Sequence, residues 1–467
     1  MKKKERFIWI GVSLFLLIVT TASGLNNWIF AGDAEKTYDK LRLFNEVFNL
    51  LRTEYYDEEK VTPEQLIPGA IEGMINTLDD PHTSYLPPEM YQELQTDTRG
   101  EFGGLGIVIG VRDDWITVIS PIDDTPAARA GIRAGDRIIK INGDSTEGYT
   151  TMDAVKLLRG EVGTSVTVTI QREGEPRPFD VTLVRGIIQL ETVKSTTIDE
   201  HIGYIRISQF SEPTAGALRD QLDELRTQGI DALIVDLRNN PGGLLSSVIN
   251  ISDMFLENGV IVSTRGRDKS QNQVFMSHKD AAAPDIPLVV LINEGSASAS
   301  EIFAGAVKDN NRGLLVGKTT FGKGSVQTIR ELPDGSGMRI TTALYYTPSG
   351  VSIDHVGVTP NRTVEEIQPT EAETQAVEKL NELGLVEEFV ENNPGYSDRD
   401  LERFVNSLVE RGIEIRPVIV RRMARTEKEK NQIPSLVDLD YDVQLKYAVD
   451  LINSMDALAA GAKADAS

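Results

Sequence analysis

The 467-residue chain contains no cysteine. That excludes a disulfide framework, a thiolate metal site, a cysteine nucleophile and a lipid-modified cysteine after a leader. Histidine is scarce: His82, His201, His278 and His355 lie in separate segments, and no His-Glu-x-x-His helix occurs. Neither a metal nor any other cofactor is expected, and each histidine reads as structural or incidental. Cations are also in deficit, 48 Lys and Arg against 71 Asp and Glu, a formal net charge of −23. Nucleic-acid binding needs clustered cations to neutralise phosphates, so no nucleic-acid partner is expected, and the acidity serves solubility. No internal repeat or long low-complexity tract is apparent. What is present is 40% hydrophobic content in a chain too long for one ordinary core, which predicts two or three domains.

The amino terminus carries an address. Lys2-Lys-Lys-Glu-Arg6 precedes the apolar run Phe7 to Val19 and the small residues Thr20 to Gly24, the parts of a secretory signal. If cut, it is a signal peptide. If retained and extended through Leu25 to Phe30, it reaches the roughly 20 residues of a membrane anchor. In either case residues 1–30 place the remainder outside the cytoplasm, in the periplasm or cell envelope.

Residues 36–97 read as helical, with Leu41, Phe44, Val47, Phe48, Leu50 and Leu51 at helical spacing and a second helix over Pro63 to Leu78. From 98 to 186 the pattern changes. Gly103-Gly-Leu-Gly-Ile-Val-Ile109 is a glycine turn opening a strand. Pro126 to Gly131, followed by Gly135-Asp-Arg-Ile-Ile-Lys-Ile-Asn-Gly143, reads as short helix, turn and strand, and Val166 to Ile170 alternates as a strand. This run resembles a PDZ domain, with Gly104, Leu105, Gly106 and Ile107 as its carboxylate-binding loop. The resemblance implies that successive N–H groups grip a terminal carboxylate while the peptide adds to a sheet edge.

Between 187 and 365 strands alternate with helices: 201–207, 232–237, 260–264, 288–292 and 314–317 as strands, 213–228, 245–256 and 300–309 as helices. That rhythm predicts a multidomain α/β chain whose layered core carries its site at strand ends. Residues 366–467 read as helical and charged, with helices over 371–385 and 399–412 and a mobile small-residue tail. A packed accessory region and a dimerisation arm for a homodimer are both open for them.

The chemistry concentrates in three motifs. Pro287 to Ile292 runs into Asn293-Glu-Gly-Ser-Ala-Ser298-Ala-Ser-Glu301, and Lys323 stands between glycines 25 residues beyond Ser298. A serine hydroxyl needs a base, and a desolvated lysine can serve where histidine does not. Ser298 at a helix start would have the Ala299 N–H as an oxyanion donor. Asp236-Leu-Arg-Asn-Asn-Pro-Gly-Gly243 would supply a second from its glycine pair. Gln327 is placed to hold the lysine amine. Each piece has a plainer meaning: Ser298 and Glu301 fit a capping box, and Lys323 a solvated turn. Gly317 to Gly324 nearly spells a phosphate loop, but Gly324 offers no hydroxyl and Ser325 to Ile329 alternates as a strand.

Together, Gly295 to Glu301, Thr320-Phe-Gly-Lys-Gly-Ser-Val-Gln327 and Asp236 to Gly243 resemble the carboxy-terminal processing peptidases, the tail-specific serine proteases. The resemblance spans about residues 38–361. It implies a crotonase-like protease core with an inserted PDZ domain, Ser298 as nucleophile, Lys323 as base assisted by Gln327, and Gly243 and Ala299 as oxyanion hole. It further implies protein or peptide substrates with free carboxyl termini, and regulation through the PDZ domain. The alternatives are a non-catalytic PDZ scaffold on an inactive core and a coenzyme A enzyme, which the leader and PDZ segment oppose.

Overall fold

The strands Ala232–Asp236 and Leu288–Ile292 are buried at every residue, as befits the centre of a parallel sheet covered on both faces. They belong to a computed structural model that describes residues 37–122, 124–172, 174–278, 286–429 and 435–465, with side chains as far as Met455. The segment read as leader or anchor lies outside the described residues. No helix among them is long and apolar enough to cross a membrane.

The chain divides into two units at Tyr85 and Leu86. The first holds helices α1 (residues 37–54) and α2 (Pro63–Asn76). Leu41, Phe44, Val47, Leu50 and Leu51 on α1 are exposed.

Strand β1 (Ser84–Leu86) spans the division. The second unit continues with helix α3 (Pro88–Arg99) and β2 (Glu101–Gly104). A domain follows, built from β3 (Ile107–Arg112), β4 (Trp115–Pro121), α4 (Pro126–Arg129), β5 (Arg137–Ile141), β6 (Asp144–Ser145), α5 (Thr151–Leu158), β7 (Ser165–Gln171) and β8 (Phe179–Val184). Its sheet runs β3-β4-β5-β7-β8, leaving β3 at an edge, with α5 packed against β3 and β5. Ile116, Val118, Ile138, Val166 and Val168 form its own core. Strand β9 (Gly186–Gln189) then pairs antiparallel with β2, so the chain enters and leaves this domain through one two-stranded ribbon.

The central sheet runs β10 (Val193–Ile198), β11 (Ile202–Ile207), β12 (Ala232–Asp236), β15 (Leu288–Ile292), β16 (Leu314–Gly317) and β19 (Arg362–Thr363), parallel from β11 onward. Alternation along each strand sends its residues to two cores. Leu233, Val235, Val290 and Ile292 meet α6 (Thr214–Thr227), α7 (Leu245–Asp253) and α8 (Ala299–Asp309). Ala232, Ile234, Val289 and Leu291 meet Leu445, Ala448, Val449 and Ile452 of α13 (Val443–Asp465). An antiparallel sheet adjoins: β17 (Ser325–Glu331) pairs β18 (Gly337–Tyr346), β18 pairs β13 (Gly259–Gly266), and β13 pairs β14 (Gln273–Ser277).

The helix expected over 371–385 is α9 (Glu371–Glu382), which ends three residues early, and a further helix, α10 (Leu385–Asn392), follows it directly. Gly384, at φ 60°, separates the two. With α11 (Asp398–Glu410) and α12 (Pro417–Glu429) they enclose a separate apolar cluster that includes Leu380, Leu401 and Leu408. The tail read as mobile continues α13 as backbone helix to Asp465.

Phe303 on α8 is fully buried and meets Phe255 edge-on at 5.3 Å. Replacing it with alanine should lower core stability by about 3–5 kcal/mol, because the cavity adds to the lost transfer energy. Denaturant titration followed by far-ultraviolet circular dichroism would measure the loss.

Candidate active site

Because β12 and β15 are parallel neighbours with Asp236 opposite Leu291, the turns that follow them meet at the same edge of the sheet. Side chains of one turn bind the backbone of the other. Asn293 Oδ1 accepts from the N–H of Asn239 (2.9 Å) and of Gly295 (3.1 Å), and Asn293 Nδ2 donates to Asn239 Oδ1 (3.0 Å). Ser296 Oγ donates to the Leu237 carbonyl (2.8 Å), and the Asn240 carbonyl accepts from Ala297 N–H (3.0 Å) and Ser300 Oγ (2.9 Å).

This clamp holds Ser298 at φ 53° and ψ −109°, a backbone conformation rarely taken by a serine. Ser298 is 8% exposed and stands at the N-cap of α8, with Glu301 at N3 of a capping box. The helix-cap reading of the Ser298 and Glu301 spacing is therefore correct as geometry, and it coexists with a strained, nearly buried serine at a strand end. Gly242, at φ 102°, lies so close that a Cβ there would come within 2.7 Å of the Ala297 carbonyl and 2.9 Å of both Ala299 N and Ser298 Cβ. The Gly242 N–H is engaged by Asn240 Oδ1 (2.9 Å). Among the described residues, the N–H groups of Gly243, the residue after Gly242, and of Ala299, the residue after Ser298, have no hydrogen-bond partner.

Glu301 does more than cap. Its carboxylate is fully buried and receives Thr320 Oγ1 (2.6 Å) and Gly322 N–H (2.7 Å) on Oε1, and Ser298 N–H (2.8 Å) and Lys323 N–H (2.8 Å) on Oε2. One side chain thus joins the serine and the lysine loop. Burial raises its carboxyl above the usual range, and the hydrogen bonds from Thr320, Gly322, Ser298 and Lys323 oppose that rise. The Lys323 loop is further held by Phe321 N–H to the Ser296 carbonyl (3.0 Å) and Gly324 N–H to Asp354 Oδ1 (3.2 Å).

Lys323 is half-buried, and desolvation, followed by the positive charge of Arg339, lowers its ammonium pKa below the ordinary value of 10.5; Glu301 pulls the other way. Among the described residues no hydrogen bond joins Lys323 Nζ to Ser298 Oγ, nor Gln327 to Lys323. Gln327, on β17, donates from Nε2 to Ser325 Oγ (2.8 Å). The backbone of the lysine loop is therefore fixed to the serine's helix, while the amine is left to its own side-chain rotamers.

The second glycine-rich loop, Gly104 to Ile107, lies in the inserted domain at the start of edge strand β3. The Leu105 carbonyl accepts from Ala127 N–H (2.9 Å) and the Gly106 carbonyl from Ile122 N–H (2.9 Å). Gly106 sits at φ 74°, and a Cβ on it would be 2.3 Å from that of Thr125. The carbonyls are tied inward, and among the described residues the N–H groups of Leu105 and Gly106 have no partner. No group of three or more metal-ligating side chains occurs among the described residues.

Of these residues, sequence reasoning passed over Glu301, taking it only as a helix cap. Its signal was present in the very spacing Ser298-x-x-Glu301, but nothing local reveals that the carboxylate has a second set of donors 19 to 22 residues on. Glu301→Gln turns one of its oxygens into a donor facing N–H groups. The variant should lose about 2–4 kcal/mol of stability, and at least a hundredfold in activity, read by thermal denaturation beside a peptide-cleavage assay.

The comparisons with known proteins agree on one family. Residues 201–364 match the model of peptidase family S41, 117–172 that of a PDZ domain, and 26–90 that of the activating protease CtpB N-terminal domain. The chain is similar to the carboxy-terminal-processing protease of Bartonella bacilliformis, 43% identical over 376 residues, covering 79% of this chain and 84% of that one. It is similar to the carboxy-terminal processing protease CtpA of Bacillus subtilis, 36% identical over 351 residues, covering 75% and 74%. Among solved structures it is similar to a photosystem II D1 C-terminal processing protease, at 32% identity and a TM-score of 0.41, covering 69% of this chain and 92% of that one. With an S41 peptidase segment, a PDZ segment and these relatives along most of its length, the chain belongs to the carboxy-terminal-processing serine proteases.

Proposed function

We propose that the chain is an extracytoplasmic endopeptidase that takes substrates by their free carboxyl end and cleaves them with Ser298 as nucleophile and Lys323 as base. The observation that carries this reading is the buried Glu301 carboxylate, which binds the N–H of Ser298 and that of Lys323 through one oxygen. Neutral Lys323 takes the proton of Ser298 Oγ as that oxygen bonds to the scissile carbonyl carbon. The N–H groups of Gly243 and Ala299 receive the resulting oxyanion. Lys323 then delivers its proton to the leaving amine as the C–N bond breaks, and water releases the acyl group by the same steps. Gln327 steadies the Lys323 amine when substrate is bound, since catalytic hydrogen bonds commonly tighten only in the complex.

The layered parallel sheet with its site at the carboxyl ends of β12 and β15 supports a crotonase-like core. The N–H groups of Leu105 and Gly106, unpartnered among the described residues and beside the edge strand β3, support carboxylate binding by Gly104 to Ile107. Peptide engagement there regulates the core, and removal of residues 105–185 should change both rate and selectivity; unchanged cleavage would refute it. The basic and apolar start of the chain supports export, with membrane association if that segment is retained; fractionation of the full chain tests both. A homodimer formed through the carboxy-terminal region is supported by exposed Leu383 and Val409, and sedimentation velocity over a concentration range would check it.

The deciding experiment is digestion of an unfolded protein with an apolar carboxyl terminus by the wild type, Ser298→Ala and Lys323→Ala, followed by mass spectrometry. Cleavage by the wild type alone is expected. Binding without cleavage by all three would favour a peptide-binding scaffold instead. The pH dependence gives a second check. The base works deprotonated, so kcat/KM should rise with pH through one ionisation below 10.5 and be lost as pH falls through it. Arg339→Ala, which removes a repelling charge, should move that limb to higher pH.

A further inference from the structure

We infer that Asp442, at the start of the carboxy-terminal helix, is a positioning residue for catalysis that holds the oxyanion turn through Arg238. The inference rests on the reading of Gly243 as an oxyanion donor. Arg238 is the third residue of the Asp236 to Gly243 motif and is almost fully buried. Its guanidinium is shared between two carboxylates. On the near side Nε and Nη2 donate to Asp236, at 3.0 Å and 2.6 Å. On the far side Nη1 and Nη2 donate to Asp442 Oδ1 and Oδ2, at 2.7 Å and 2.6 Å, a bidentate pair between residues 204 apart in sequence. Gln444 Oε1 accepts from Nη1 at 3.1 Å, and Gln444 Nε2 donates to the Val364 carbonyl at 2.8 Å.

The anchor is rigid at both ends. Asp442 Oδ1 also accepts the Leu445 N–H (2.9 Å), capping α13, whose Leu445, Ala448 and Ile452 are buried against the sheet. Asp236 is fully buried and further receives Tyr204 Oη (2.7 Å) and Arg206 Nη1 (3.5 Å). From Arg238 the chain passes directly into Asn239, at φ 57°, and Asn240, whose side chain fixes the Gly242 N–H and whose carbonyl receives Ala297 and Ser300. The guanidinium is thus linked to the Ser298 helix by two peptide bonds and the hydrogen bonds that the Asn240 carbonyl accepts. Asp236 occupies only one side of the guanidinium. Without Asp442 the outer N–H groups of a buried cation lose their partner, and a side chain so placed turns toward water. That motion would pull on the turn that presents Gly243. The helix covering the opposite face of the sheet from Ser298 would then set how well the oxyanion is bound, not merely whether the sheet is covered.

The test uses the full chain with Asp442→Asn and Asp442→Glu, measuring kcat and KM on one peptide, and affinity for a peptide boronate and for the product peptide. The boronate places a negative oxygen where the oxyanion forms; the product does not. For Asp442→Asn we expect kcat to fall about tenfold to a hundredfold, less than outright loss of an oxyanion donor at a hundredfold or more. KM and product affinity should stay within about twofold, boronate affinity should weaken by the same factor as kcat, and Asp442→Glu should recover part of the loss. Wild-type kcat in Asp442→Asn would overturn the inference, as would a loss that weakens boronate and product equally and follows the melting temperature. A wild type that cleaves nothing would sink the reading of the site and the inference with it.

Discussion

A buried carboxylate is the constraint on which the rest of the site depends. Glu301 lies at the point where a parallel sheet, a helix start and a loop from the neighbouring antiparallel sheet converge, and it is fully buried. Such a group is costly to desolvate unless its lone pairs are filled. Here they are filled by Thr320, Gly322, Ser298 and Lys323. The cost of burying the charge is offset only when the serine turn and the lysine loop are both in place. Neither can be displaced without leaving a donor or an acceptor unpaired, so the pairing of two distant segments becomes part of the stability of the core.

The strain at Ser298 is sustained by the same logic. A serine at φ 53° is unfavourable by itself, but side chains of the turn after β15 bind the backbone of the turn after β12, and Asn293 and Asn239 pair side chain to side chain. The parallel register of those strands brings the turns level with one another. Gly242 then approaches Ala299 N and Ser298 Cβ more closely than any residue with a Cβ is able to. The inserted domain attaches by the β2 and β9 ribbon and keeps its own core. It is thus separable in packing from the site whose substrates it would select.

Much of the site was legible because it is made of short runs whose meaning is local. Apolar runs at 232–237 and 288–292 ending in Asn- and Gly-rich turns announce buried strands with functional loops, and both stand where expected, within a residue. Ser325 to Glu331 is a strand, as its alternation requires and as a phosphate loop would not allow. The helix read over 371–385 ends at Glu382, and the left-handed Gly384 starts a new helix over Leu385–Asn392 that the reading did not separate out. The covering role of α13 was missed as well. Leu445, Ala448 and Ile452 look like any amphipathic stripe until the bare face of the sheet is known.

Composition and local pattern alone determined that this is a cysteine-free, acidic, multidomain α/β chain with a serine at a helix start, a glycine-flanked lysine and two glycine-rich loops. These follow from properties a residue carries with it: whether it has a thiol, a Cβ, a charge or an apolar surface. Tertiary structure decided the rest: that Glu301 joins Ser298 to Lys323, that the N–H groups of Gly243 and Ala299 find no partner among the described residues, and that Arg238 reaches across to Asp442. Those are relations among groups tens to hundreds of residues apart. They exist only because burial makes every unmet hydrogen bond expensive, and the fold that meets them all is settled by the whole chain at once.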